Sequence, residues 1–76
     1  MISAAQCRGA RAMLSLNQGE LAERAQVARQ TVVDFERGAR TPYANNLLAI
    51  RTALEQAGVV FTNGDEPGVK LRKPDQ

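Results

Sequence analysis

Apolar residues recur every three or four positions through most of this chain and then give way to two short β-prone runs near its end. Cys7, Ala10 and Leu14 share one face of a predicted helix over residues 4–14, introduced by Ser3 with Gln6 three residues on, a capping-box pair. Ser15-Leu16 ends it. Asn17 and Glu20 repeat the pairing, and Leu21, Ala22 and Ala25 form the apolar side of a short helix over 18–25, with Glu20 and Arg24 at i,i+4 spacing. Gln26-Val27 is a tight connector. Val32 and Phe35 set the inner face of a third helix over 29–36, closed by Gly38. Arg40-Thr41-Pro42-Tyr43 is an extended link, because the residue before a proline avoids helical backbone. Leu47, Ile50, Leu54 and Ala57 predict a fourth helix over 44–57, with Gly58 as a left-handed cap.

Beyond Gly58 the period becomes two. Val59 to Thr62 and Val69 to Arg72 bracket a cluster of turn formers, Asn63 to Gly68, and predict a β-hairpin. Val59, Phe61, Val69 and Leu71 fall on one face of it, and Val60, Thr62, Lys70 and Arg72 on the other. Lys73 to Gln76 reads as a frayed tail. Two organisational units follow: residues 1–58 as the helical domain, and 59–76 as the hairpin and tail.

Composition limits what such a chain can do. With 76 residues, of which 17 are Leu, Ile, Val or Phe, the core is thin; single cores of this size rarely supply more than about 3–5 kcal/mol, which predicts a stabilising second copy. The chain has no histidine, so neutral-pH acid–base chemistry would fall to carboxylates and a His-containing zinc site is excluded. Cys7 is the sole cysteine and reads as a small core residue in a reducing compartment. There is no metal-ligand cluster and no Gly-rich phosphate loop, so the sequence is not that of an enzyme and no cofactor is expected. No apolar run approaches the ~20 residues that span a bilayer, and Met1-Ile2-Ser3 opens no signal peptide; the expectation is a cytoplasmic protein with no membrane partner.

Charge narrows the class further. Net charge is only +2, but eight of the ten basic residues are arginine, whose planar fork suits phosphate and guanine edges. The two short helices at 18–25 and 29–36, joined by a minimal turn and covered by the first and fourth, form a helix-turn-helix, whose second helix enters the major groove of DNA with its first residues nearest the base edges.

The set Leu16-Asn17-Gln18-Gly19-Glu20-Leu21-Ala22, Val27, Thr31-Val32, Phe35-Glu36-Arg37-Gly38 and Arg40-Thr41-Pro42 resembles the phage repressor and Cro family, the XRE-like class, over about residues 5–57. The resemblance implies a mainly α fold: a four-helix phage-repressor-like helix-turn-helix domain followed here by the C-terminal β-hairpin. It implies double-stranded DNA as partner, with Gln18 gripping a phosphate beside Asn17 and with Arg29 and Gln30 reading bases. It also implies a partly buried ion pair between Arg11 and Glu36. Side-chain chemistry agrees, since arginine bonds guanine O6 and N7 and glutamine bonds adenine N6 and N7. One turn on, Val33 suits a thymine methyl, and Asp34 suits either cytosine N4 or the orientation of Gln30. Thr31, Arg37, Arg40, Tyr43 and Asn45 flank the same edge as candidate phosphate contacts.

The chain departs from the family pattern at three places. Gln26 stands where relatives place glycine and Ala28 where they place a Ser or Thr cap, each costing on the order of 1 kcal/mol. Many relatives end in a fifth helix that makes the dimer contact, whereas a hairpin is expected here. Leu48, Val59, Phe61, Val69 and Leu71 are therefore the candidate dimer residues. The function read from the sequence is a sequence-specific transcriptional regulator, a dimeric repressor on a pseudopalindromic operator. The competing reading is an antitoxin or mobile-element control protein acting mainly through a protein partner.

Overall fold

A computed structural model describes residues 1–72, and the expected tail over Lys73–Gln76 lies outside them. Four helices and two strands follow in order: α1 (Ala4–Leu14), α2 (Gln18–Ala25), α3 (Arg29–Glu36), α4 (Ala44–Ala57), β1 (Val59–Thr62) and β2 (Gly68–Leu71). This is the four-helix domain and C-terminal hairpin expected. The first two helices begin at complete capping boxes: Ser3 Oγ and Asn17 Oδ1 accept from the amides of Gln6 and Glu20, whose side chains accept from the cap amides in return. Two orphan donors are satisfied at each end this way.

Both of these helices end by swinging one residue into left-handed backbone, Ser15 at φ 57° and Gln26 at φ 58°. The next amides then reach back: Leu16 N donates to Arg11 O and Val27 N to Ala22 O, each at 3.0 Å. That closure makes the α2–α3 turn short, and it uses Gln26 where a side chain is strained. The α3 cap, Ala28, forms no side-chain hydrogen bond. Gly58, at φ 121°, ends α4 with a backbone that L side chains rarely adopt, and turns the chain into β1.

Leu21, Val32, Ile50 and Leu54 are fully buried at the centre of the domain. β1 and β2 pair antiparallel, Val59 opposite Leu71 and Phe61 opposite Val69. The second strand thus starts one residue earlier than expected, because Gly68 pairs with Thr62; Arg72 N still donates to Gly58 O at 2.8 Å.

Packing bears on the residues expected at a dimer contact. The face carrying Val59, Phe61 and Val69 is turned inward: Val59 is 0% and Phe61 8% exposed, Val69 packs against the same cluster, and all three close the core over α1 and α4. Val59 and Phe61 therefore keep almost no surface to offer a second copy, and Val69 is only partly open. A two-stranded hairpin is marginal alone, and covering the helices is what stabilises it. Leu71 and Leu48, at 55% and 53% exposure, are the remaining apolar members of that predicted set.

Gln6, expected only as the capping-box partner of Ser3, also fixes the hairpin. Gln6 is 5% exposed; its Oε1 completes the α1 capping box, and its Nε2 donates to Thr62 O at 3.1 Å and Gly68 O at 3.0 Å. Gly9, one turn along, lets α1 lie against β2, since a methyl there would come within 3.3 Å of Val69 Cγ1.

Candidate nucleic-acid interface

α3 is held in place from its last residue. Glu36 is 3% exposed, and its carboxylate accepts from Arg11 Nε and Nη2 at 2.8 Å each, from Gln18 Nε2 at 3.1 Å and from Cys7 Sγ at 3.2 Å. One carboxylate therefore gathers α1 and α2 around the end of α3. Arg8 adds a bond to the Glu36 carbonyl oxygen. Burial pushes the Glu36 carboxyl upward, but the bonds from Arg11, Cys7 and Gln18 and the Arg11 charge outweigh it, so the net position is below the usual glutamate range. Burial, with the Glu36 carboxylate beside it, pushes the Cys7 thiol far up, so the sulfur keeps its proton and donates it. The ion pair expected between Arg11 and Glu36 is present, 21% and 3% exposed.

Two hollows flank α3. Arg11, Asn17, Gln18, Gly19 and Arg29 line the first, where the opening turn of α2 meets the opening residue of α3. Arg29 leans over that turn: a methyl on Gly19 would lie 3.8 Å from Arg29 Cδ. Free amides at a helix start with the Arg29 guanidinium beside them suit a phosphate oxygen, while Arg11 is committed to Glu36 and to Leu16 O. Gln18 is half-buried here and has committed one amide hydrogen to Glu36, so one remains for an outside acceptor.

Gln30, Thr31 and Asp34 of α3 meet Arg40, Tyr43 and Asn46 across the second hollow. Tyr43 is 82% exposed, the most open large hydrophobic side chain among the described residues. Asn45 points elsewhere, into a groove between α2 and α4 that also contains Leu48. Asn46, which the sequence reading missed, takes the place expected for it; the available signal was its i+3 spacing from Tyr43, which puts both on one helix face. Arg37 and Arg40 are exposed, and Val33 is half-buried beside the two hollows without lining either.

Polar bonding along the outer edge of α3 is specific. Gln30 Nε2 donates to Asp34 Oδ1 at 2.8 Å, and Arg37 Nη2 and Nε donate to the same oxygen at 3.1 and 3.3 Å. The Gln30 bond and the Arg37 bonds and charge, with Arg40 nearby, hold the Asp34 carboxyl below its ordinary range against the small effect of burial. Among the described residues no group of acids and cysteines is placed to hold a metal ion, and no helix is long and apolar enough to cross a membrane.

Two short helices joined by a minimal turn, the second presenting its amino end and outer face to solvent between two polar hollows, define a DNA-binding helix-turn-helix module. A family model described as helix-turn-helix matches residues 8–56, and the chain belongs to this family, the XRE class of phage repressor and Cro-like regulators. No curated protein matches the sequence.

Proposed function

We propose that the protein is a repressor that binds a pseudopalindromic operator as a twofold dimer, excluding other proteins from the DNA it covers. The observation that carries this reading is the grouping of Arg29 and Gln30 at the start of α3 between two polar hollows. In it Arg29, Gln30 and Val33 meet base edges, while Asn17, Gln18, Thr31, Arg37, Arg40 and Tyr43 meet phosphates on either side. Asn45, which faces away from both hollows, is the weakest member of the expected phosphate set.

Dimerism is supported by size and by what remains exposed. The molecule measures 37 × 28 × 20 Å, dimensions compatible with two copies placing their α3 helices one duplex turn, about 34 Å, apart. Leu48 and Leu71 stay half-exposed after the hairpin has covered the core.

The test is selection of bound duplexes from a random pool, then titration of the enriched sequence at several salt concentrations with Arg29→Ala and Gln30→Ala alongside. Two related half-sites one turn apart, each lost with the alanine variants, support the reading. Weak, steeply salt-dependent binding with no enriched sequence reduces the contacts to phosphates alone and favours a protein partner.

A further inference from the structure

Resting on the assignment of α3 as the base-reading helix, we infer that Asp34 is a positioning residue for Gln30: it fixes which way the glutamine amide faces the DNA and touches no base itself. The geometry points to this in three ways.

First, Gln30 is exposed whereas the Asp34 side chain is only 18% exposed and lies one turn behind it, so the amide reaches farther from the helix than the carboxylate does. Second, the amide has two hydrogens. One is spent at 2.8 Å on Asp34 Oδ1, which leaves Oε1 and the second N–H as a free edge, acceptor beside donor. That edge matches adenine N6–H and N7. A free glutamine can turn its amide over and offer its N–H groups to guanine O6 and N7 instead; the carboxylate accepts only from nitrogen, so the turned amide would lose its partner and set oxygen against oxygen. Third, Arg37 bonds the same Oδ1 through two nitrogens. It pins the carboxylate in place and offsets a negative charge that would otherwise face the phosphates.

Such an anchor changes specificity more than affinity. A bidentate glutamine–adenine pair discriminates by about 1–3 kcal/mol, roughly 5–150-fold. With the amide released, the preference for A·T over G·C at that base pair falls while binding to random duplex rises, because a negative charge has left the interface.

The test uses the full chain, the duplex it enriches from a random pool, and that duplex with each base pair changed in turn. Wild type is compared with Asp34→Ala, Asp34→Asn, Gln30→Ala and the double alanine variant, each first shown folded by its melting transition. The expected result has four parts. Asp34→Ala flattens preference at the base pair that Gln30→Ala flattens, and at no other. Asp34→Asn, which keeps a carbonyl acceptor, restores most of it. The double variant is no flatter at that pair than Gln30→Ala alone. Affinity of Asp34→Ala for random duplex is equal or higher. Loss of preference at a different base pair would mean that Asp34 reads that pair through its other oxygen, and an unchanged profile for Asp34→Ala would mean that the anchor is idle; either overturns the inference while leaving the reading of α3 intact. If no duplex is enriched, or Gln30→Ala changes no preference, the assignment of α3 itself fails and takes the inference with it.

Discussion

Arg11 and Glu36 form a two-pronged pair: Nε and Nη2 of the guanidinium each lie 2.8 Å from a different oxygen of the carboxylate. The pair crosses from α1 to the end of α3, in surroundings where Glu36 is almost wholly removed from water. Its removal on one side leaves a buried charge with Gln18 and a thiol as its remaining side-chain donors. Arg11→Ala should therefore cost about 3 kcal/mol or more, which approaches the whole stability of a domain this small. Thermal unfolding followed by circular dichroism checks it; a loss under 1 kcal/mol would show that Glu36 is paired well enough without Arg11.

The same carboxylate sets an acid limit. Its folded position is below its ordinary value of 4.5, so the unfolded state binds the proton more readily. The resulting stability is fully present above about pH 4.5 and is lost as pH falls through the lower folded value. Asp34, also held low, acts in the same direction. Melting temperature should be nearly flat from neutrality to about pH 5 as far as these two groups are concerned and should then fall. In Asp34→Asn the fall should persist, because the buried Glu36 remains; a flat profile in that variant would place the acid limit on the surface instead.

Two positions at the α2–α3 turn are open to improvement. Gln26 occupies left-handed backbone at φ 58°, and Ala28 caps α3 without a side-chain bond. Gln26→Gly relieves a strain of about 1 kcal/mol, part of which returns as the greater freedom of the unfolded glycine. Ala28→Ser adds a cap bond of about 1 kcal/mol. Each should raise the melting temperature, Ala28→Ser by about 4–8 °C, in differential scanning calorimetry; a fall with either would mean that its side chain does something in the turn beyond adopting its backbone.

Gln6 is the clasp between α1 and the hairpin. Gln6→Leu keeps the volume, removes the bonds to Thr62 O and Gly68 O, and breaks the capping box. It should cost about 1–3 kcal/mol. Amide hydrogen exchange locates the effect: protection in β1 and β2 should drop more than protection in α2 and α3, and a uniform drop would mean that the hairpin opens only when the whole domain does.

How much of this was legible in the sequence depended on the range of the interaction. The helices announced themselves because Ser3, Asn17 and the apolar spacing act within a turn or two. Alternation in Val59, Phe61, Val69 and Leu71 correctly grouped these residues on a face, yet period two says nothing about what that face covers, and three of the four pack into or against the core. Arg11 and Glu36 were paired through family resemblance. The added bonds from Cys7 and Gln18 depend on how three helices converge, which no local pattern encodes. Asn45 and Asn46 differ by one residue, or about 100° of helix, and only the packed angle of α4 decides which of them faces α3.

The Gln6 clasp also has a consequence in time. Its partners lie 56 and 62 residues further along the chain. A ribosome adding about 5–20 residues per second makes the second of them roughly 3–12 s after Gln6 itself. For most of that interval Val59 and Phe61, which seal the inner side of α1, have yet to be made. The nascent domain thus waits with apolar surface uncovered, open to whatever binds emerging chains, until its last strand arrives.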